Sequence, residues 1–169
     1  MKRQNRRHTM NYWLFKSNPK KWSIDDKMNS TNDLVSWGVS RYMDSYKSGD
    51  VSFLYRTGKN PGIVTVMKLI TPNIVAYGFV HDQEFQEDEN PDLNLRNRVI
   101  GNVQFNTNFI SLEDMKNNPT LTSWAAEISS VGNFANFKVS KEIGDELYLL
   151  VCGKKKTTIN PESVATGSL

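Results

Sequence analysis

Nucleophilic, redox and metal chemistry draw on histidine, cysteine and clustered carboxylates, and this chain is poor in the first two. Its 169 residues hold two histidines and one cysteine. His8 stands in a basic N-terminal stretch and His81 heads an acidic run. Cys152 can make neither an internal disulfide nor half of a Cys-x-x-Cys pair. Within the apolar run Leu149 to Cys152 it reads as a small buried hydrophobe on a strand rather than as a nucleophile. No Gly-x-Ser-x-Gly, His-Glu-x-x-His, phosphate-loop or dinucleotide fingerprint occurs. The expectation is a protein that is not an enzyme and has no catalytic residues, metal or cofactor. One alternative stays open, a small hydrolase working through lysine, threonine and glutamate, because those residues are too common for their presence to decide.

Charge points instead toward phosphate. Residues 1–10 carry Lys2, Arg3, Arg6 and Arg7 with no acid, and residues 154–169 carry Lys154, Lys155 and Lys156 against Glu162. The two ends thus hold +4 and +2 of an overall +3, which leaves the core between them at −3. The basic pI is a property of the tails, and such tails suit nucleic acid as readily as they suit plain solvated chain ends. Inside the core, residues 11–68 hold nine Lys/Arg against five Asp/Glu, whereas His81 to Asp92 holds six acids and no base. A phosphate-facing surface is expected on the first half, with the acidic loop turned elsewhere or fencing the site. No apolar segment follows the N-terminal charges, so they do not form a secretory signal, and an intracellular, cytoplasmic protein (nuclear if eukaryotic) is expected.

The elements that must position these charges are short and β-rich. With 38% hydrophobic and 23% charged residues the composition is that of one water-soluble globular domain. No repeat or linker divides it, so residues 11–153 read as a single domain between tails at 1–10 and 154–169. Strands are expected over Asn11 to Lys16, Val51 to Arg56, Gly62 to Ile70, Ile74 to Val80, Arg98 to Phe105, Phe134 to Val139 and Glu146 to Val151. Ser23-Ile24-Asp25-Asp26 and Ser111-Leu112-Glu113-Asp114 each place a hydroxyl three residues before a carboxylate, the pattern of a helix N-cap. The second of these helices must be short, because Asn117-Asn118-Pro119 stops it. Thr31 to Ser36 also reads as helical, and Trp124 and Ile128 are spaced to share one buried helix face. Strands with interspersed short helices imply an α+β domain built on a small, strongly curved sheet or barrel of about five to seven strands.

Three stretches resemble the EVE domain family. Tyr12-Trp13-Leu14-Phe15-Lys16-Ser17-Asn18-Pro19, followed by Trp22-Ser23-Ile24-Asp25-Asp26, is similar to that family's opening YWLFKSEP and SIDDL. Trp37-Gly38-Val39 with Tyr42, then Lys47-Ser48-Gly49-Asp50, Phe53-Leu54-Tyr55 and Pro61-Gly62-Ile63, resemble its next segments. Val103-Gln104-Phe105 and Ile110 to Lys116 resemble a later strand and helix. Two departures stand out. Ser17-Asn18-Pro19 replaces Ser-Glu-Pro, as in the related YTH domains, and Ser40-Arg41 stands where the family has Arg-Asn. The resemblance implies a PUA-like curved barrel with peripheral helices.

It also implies a non-catalytic reader that holds one modified base in an aromatic pocket: methylated or hydroxymethylated cytosine for EVE domains, N6-methyladenine for YTH domains. The expected partner is nucleic acid, DNA rather than RNA, bound by a monomer without membrane contact. Trp37 is the first candidate for the stacking wall, placed after the helical stretch Thr31 to Ser36 and before Gly38, where backbone can come close to a ligand. Trp13 and Trp22 are expected to be structural. Tyr77, Phe85 and Tyr55 are candidates for a second wall, and Tyr55 reads equally as a core aromatic. Ser17 and Asn18 can offer a hydroxyl and an amide to a base edge, or can simply form a strand-end turn before Pro19. Lys20, Lys21, Arg41, Arg56 and Lys59 are the candidate phosphate contacts. An amide at 18 both donates and accepts, so a neutral base or a purine is expected to suit this chain better than it suits a relative with glutamate there. A protein-interaction module remains the other alternative to the reader.

Overall fold

The computed structural model describes residues 9–78, 94–130 and 136–153. In chain order the elements are β1 (Tyr12–Ser17), α1 (Ile24–Met28), β2 (Leu34–Gly38), β3 (Val51–Arg56), β4 (Gly62–Leu69), β5 (Ile74–Ala76), β6 (Arg96–Val103), β7 (Ile110–Ser111), α2 (Leu112–Asn117), α3 (Thr122–Ser130), β8 (Asn136–Val139) and α4 (Lys141–Cys152). All eight strands join one mixed sheet in the order β2-β6-β4-β3-β1-β8, with β5 paired to β6 and β7 to β4. This is the α+β curved barrel expected from the sequence; six of the seven expected strands form, and β2 and β7 are additional.

β1 explains how the sheet is buried. Its side chains alternate between two faces, and both faces are apolar. Tyr12 and Leu14 join a core with Phe53, Ile63, Met115, Leu121, Ile128 and Leu147, covered by α2, α3 and α4. Trp13 and Phe15 join a second core with Leu54, Met67, Val99 and Tyr46, lying inside the curl of the sheet. The curl is visible in one contact: Phe15 on β1 and Trp37 on β2 stack at 5.4 Å and 18°, although β3, β4 and β6 lie between their strands in the sheet order.

Buried Asp50 fixes the parallel pairing of β1 with β3. Its carboxylate accepts from the Asn11 backbone N–H at 3.0 Å, the Trp13 indole N–H at 2.9 Å and the Lys47 backbone N–H at 2.9 Å. These donors on one buried carboxylate give charge-assisted bonds that tie the first strand to the turn before β3. On the outer face Lys16 Nζ donates to the carbonyl of Ile128 in the last turn of α3, placing a cation where a helix C-terminus has unpaired carbonyls. Burial holds the Lys16 ammonium below the ordinary lysine value.

Two sequence-based assignments need correction. The segment Glu146 to Val151, expected as a strand, lies inside α4. Its apolar run hides a helical spacing in which Gly144, Leu147 and Val151 are buried while Leu149 is 66% exposed, and Ser140 caps it by accepting from the Ile143 N–H. Gly144 has to be glycine because an added Cβ would lie 2.0 Å from Cδ2 of Tyr12. Cys152 consequently ends a helix and is exposed, not buried on a strand. The stretch Thr31 to Ser36, expected as helical, makes a turn in which Asn32 Oδ1 accepts from the Leu34 N–H at 3.0 Å. It then enters β2, where Val35 and Trp37 alternate with outward residues against β6.

Both proposed N-caps form, Ser23 accepting from Asp26 N–H and Ser111 making a full capping box with Asp114. Trp124 is half-buried on α3 above buried Ile128. Among the described residues no helix is long and apolar enough to cross a membrane.

Candidate functional site

An aromatic corner forms where β1 and β2 meet inside the curl. Trp37 lies flat against Phe15 and at 86° to Trp22, the indole centroids of the two tryptophans 5.5 Å apart. Both tryptophans are half-buried. Trp22, expected from sequence to be structural, is thus a direct neighbour of the ligand-facing candidate. Trp13 is fully buried against Tyr46 at 4.4 Å, its indole N–H spent on Asp50.

The turn after β1 holds Trp22 in place. Ser17 is buried, and its hydroxyl donates to the Trp22 carbonyl at 2.7 Å. Asn18 is exposed, its Oδ1 accepting from the Lys20 N–H at 3.0 Å and its backbone carbonyl accepting from the N–H groups of Lys21 and Trp22. Asn18 therefore acts in this structure as a turn residue, leaving its amide N–H₂ on the outside. Thr57, at the end of β3, donates to the Ser17 carbonyl from both N–H and hydroxyl, which joins the β3–β4 turn to the same edge. Exposed Lys20, Lys21 and Lys59 are thereby gathered around the adjoining ends of β1 and β3.

The remaining candidates divide. Tyr55 sits in the helix-covered core, on the opposite face of the sheet from Trp37, with Lys16 Nζ 5.7 Å from its ring. It is therefore separated from the corner, and burial raises its phenol above the ordinary value. Arg56 is committed internally: Nη1 contacts Asp25 at 2.6 Å, Nε and Nη2 donate to the Asn60 carbonyl, and the guanidinium covers the Phe109 ring at 4.7 Å. Arg41 is half-buried and lies over the Tyr42 ring at 5.1 Å. Tyr77 is 67% exposed just past β5, at the end of the sheet shared with Arg96 and Gly38. Phe85 and the acidic run from His81 lie outside the described residues, as do residues 1–8 and 154–169 of the tails.

Gly38 has a different neighbour from the one its sequence suggests. The Arg96 guanidinium, rather than open space for a ligand, lies against it, with Cζ 2.7 Å from where a Cβ would stand. Burial, and then the charge of Arg98, lower the Arg96 value. Arg98 is 3% exposed and donates to the carbonyls of Ala76 and Asn94. Sequence reasoning missed these two arginines. Their signal was present: two cations at alternate positions in a strand whose other side chains line a core.

Comparison with known proteins follows the same lines. The family model of the EVE domain matches residues 11–148. No curated protein sequence matches the chain. Among solved structures, a hypothetical protein of Leishmania major is similar at 21% identity and TM-score 0.56, over 82% of this chain and 92% of that one. A protein of Agrobacterium tumefaciens is similar at 25% identity and TM-score 0.53, over 84% and 90%. Human THYN1 protein, solved in complex with DNA containing 5-methylcytosine, is similar at 18% identity and TM-score 0.53, over 81% and 95%. These likenesses are of fold, and they agree with the PUA-like barrel expected from the sequence.

Proposed function

The chain belongs to the EVE domain family, and on that premise we propose that it is a non-catalytic DNA reader that holds one modified base at the Phe15–Trp37–Trp22 corner. The observation carrying this reading is the corner itself, two half-buried indoles at 86° and 5.5 Å joined through Ser17 to a rim of exposed lysines. The solved complex of the fold neighbour THYN1 with 5-methylcytosine DNA supports the choice of ligand class.

The energetics are feasible. Flipping a base out of a duplex costs a few kcal/mol. Stacking on an aromatic ring returns about 1–3 kcal/mol, and a methyl group seated in an apolar notch adds roughly 1–3 kcal/mol of discrimination. Phosphate contacts from Lys20, Lys21 and Lys59 supply the rest and make binding salt-dependent.

The test is a binding panel of short oligonucleotides, DNA and RNA, carrying 5-methylcytosine, 5-hydroxymethylcytosine, N6-methyladenine or no modification. Tighter binding to one modified strand is expected. Equal binding across the panel, or release of an altered nucleoside, overturns the reading. Asn18→Glu, run on the same panel, is expected to move preference toward modified cytosine; an unchanged ranking confines Asn18 to its turn.

A further inference from the structure

Asn136, on edge strand β8, is 1% exposed, and its Nδ2 has no hydrogen-bond partner among the described residues. A buried amide donor left unpaired lowers stability, and a leucine of similar volume would fill the place without that cost. The position of this amide gives it a use. Asn136 stands directly opposite Phe15 in the antiparallel pair of β8 with β1, and opposite residues in such a pair share a face. The neighbouring pairs bear this out. Lys138, opposite Trp13, brings its Nζ 5.9 Å from that indole, while Phe137, opposite Leu14, packs in the other core. Asn136 is therefore on the Phe15 face, whose rings run on to Trp37 at 5.4 Å.

We propose that Asn136 determines base specificity, its Nδ2 donating to an acceptor on the edge of the base held at the aromatic corner. The inference rests on the base-reader function proposed above. A donor in that position favours a base with an unprotonated ring nitrogen. 5-Methylcytosine and thymine carry the same methyl group but differ at ring position 3, where cytosine accepts and thymine donates. With Nδ2 turned to the base, thymine leaves two N–H groups opposed and both unsatisfied, so this orientation of the amide disfavours the base that a methyl-sized apolar notch alone would admit.

The experiment measures binding of the full chain, wild type and N136L, to three DNA duplexes that differ at one position: 5-methylcytosine, thymine or an abasic site. Wild type is expected to prefer 5-methylcytosine over thymine by at least tenfold. N136L is expected to lose that preference, to bind the abasic duplex as wild type does, and to melt at the same or a higher temperature. N136S, with a side chain too short to reach the base, carries the same test should leucine not fit. Either variant keeping the wild-type preference overturns the role of Asn136 alone, as does a wild type that favours 5-methylcytosine over the abasic duplex yet binds thymine equally well. A wild type that binds 5-methylcytosine no better than the abasic duplex overturns the role of Asn136 in holding that base, and it overturns the base-reader function as well when no modified strand of the panel above binds more tightly than the unmodified one.

Discussion

Removing the Trp37 indole separates stacking from packing. Trp37 covers Phe15 on one side and meets Trp22 at its edge, and it is half-buried. Truncating a fully buried tryptophan costs about 3–5 kcal/mol, so Trp37→Ala, at a half-buried position, is expected to cost about 2–3 kcal/mol of stability. The same substitution removes the stacking surface for a base, about 1–3 kcal/mol, which corresponds to roughly a 5- to 150-fold loss of affinity. Trp37→Phe keeps a ring against Phe15 and is expected to recover most of both quantities. Thermal melting by circular dichroism gives the first, and fluorescence anisotropy with a 5-methylcytosine duplex, read well below the melting temperature of each variant, gives the second. The reasoning is refuted by an alanine variant that is folded in the assay and binds the modified duplex as tightly as wild type. Trp37 would then be a core residue whose exposure has no bearing on the ligand.

Other substitutions probe how the site is held. Gly144→Ala forces a methyl group onto the Tyr12 ring and is expected to destabilise the fold by about 1–3 kcal/mol or more, seen as a lower denaturant midpoint. Arg56→Ala is expected to lower the melting temperature, because its guanidinium is spent on Asp25 and Asn60, and to leave the salt slope of DNA binding unchanged; a slope reduced by about one would return Arg56 to the phosphate contacts. Burial raises the phenol values of Tyr12, Tyr46 and Tyr55. Their contribution to stability is complete below the unfolded value near 10 and declines as pH rises above it. Phenolate absorbance from these three tyrosines is therefore expected to appear together with loss of tertiary circular dichroism, and full ionisation with the fold intact would contradict it. Deleting residues 1–10 and 154–169 is expected to flatten the salt dependence equally for modified and unmodified strands, whereas a loss confined to the modified strand would assign base reading to the tails.

Local patterns in the chain determined much of this fold by themselves. The apolar run of β1, the hydroxyl–carboxylate spacing at Ser23 and Ser111, and the ordered segments from Tyr12 to Lys116 depend on chemical preferences within a few residues, which a sequence displays directly. They sufficed for an α+β barrel, and they singled out Trp37 and Ser17, which the structure brings to one aromatic corner. They failed where a distant partner decided the outcome. Glu146 to Val151 is apolar enough for a strand, but contact of Gly144 with Tyr12, far earlier in the chain, selects the helix that presents Leu147 and Val151 inward. The stretch before Trp37 becomes a strand because β6 offers it an edge. Tyr55 and Trp37 read alike as pocket walls, and only the two-sided burial of the sheet sends them to opposite faces. The right-angled pair of Trp22 and Trp37, the Arg96 guanidinium on Gly38 and the unpaired amide of Asn136 beside Phe15 join residues from separate strands and loops. Such contacts exist only once the sheet has curled, because long-range pairing and not local preference sets which side chains share a face.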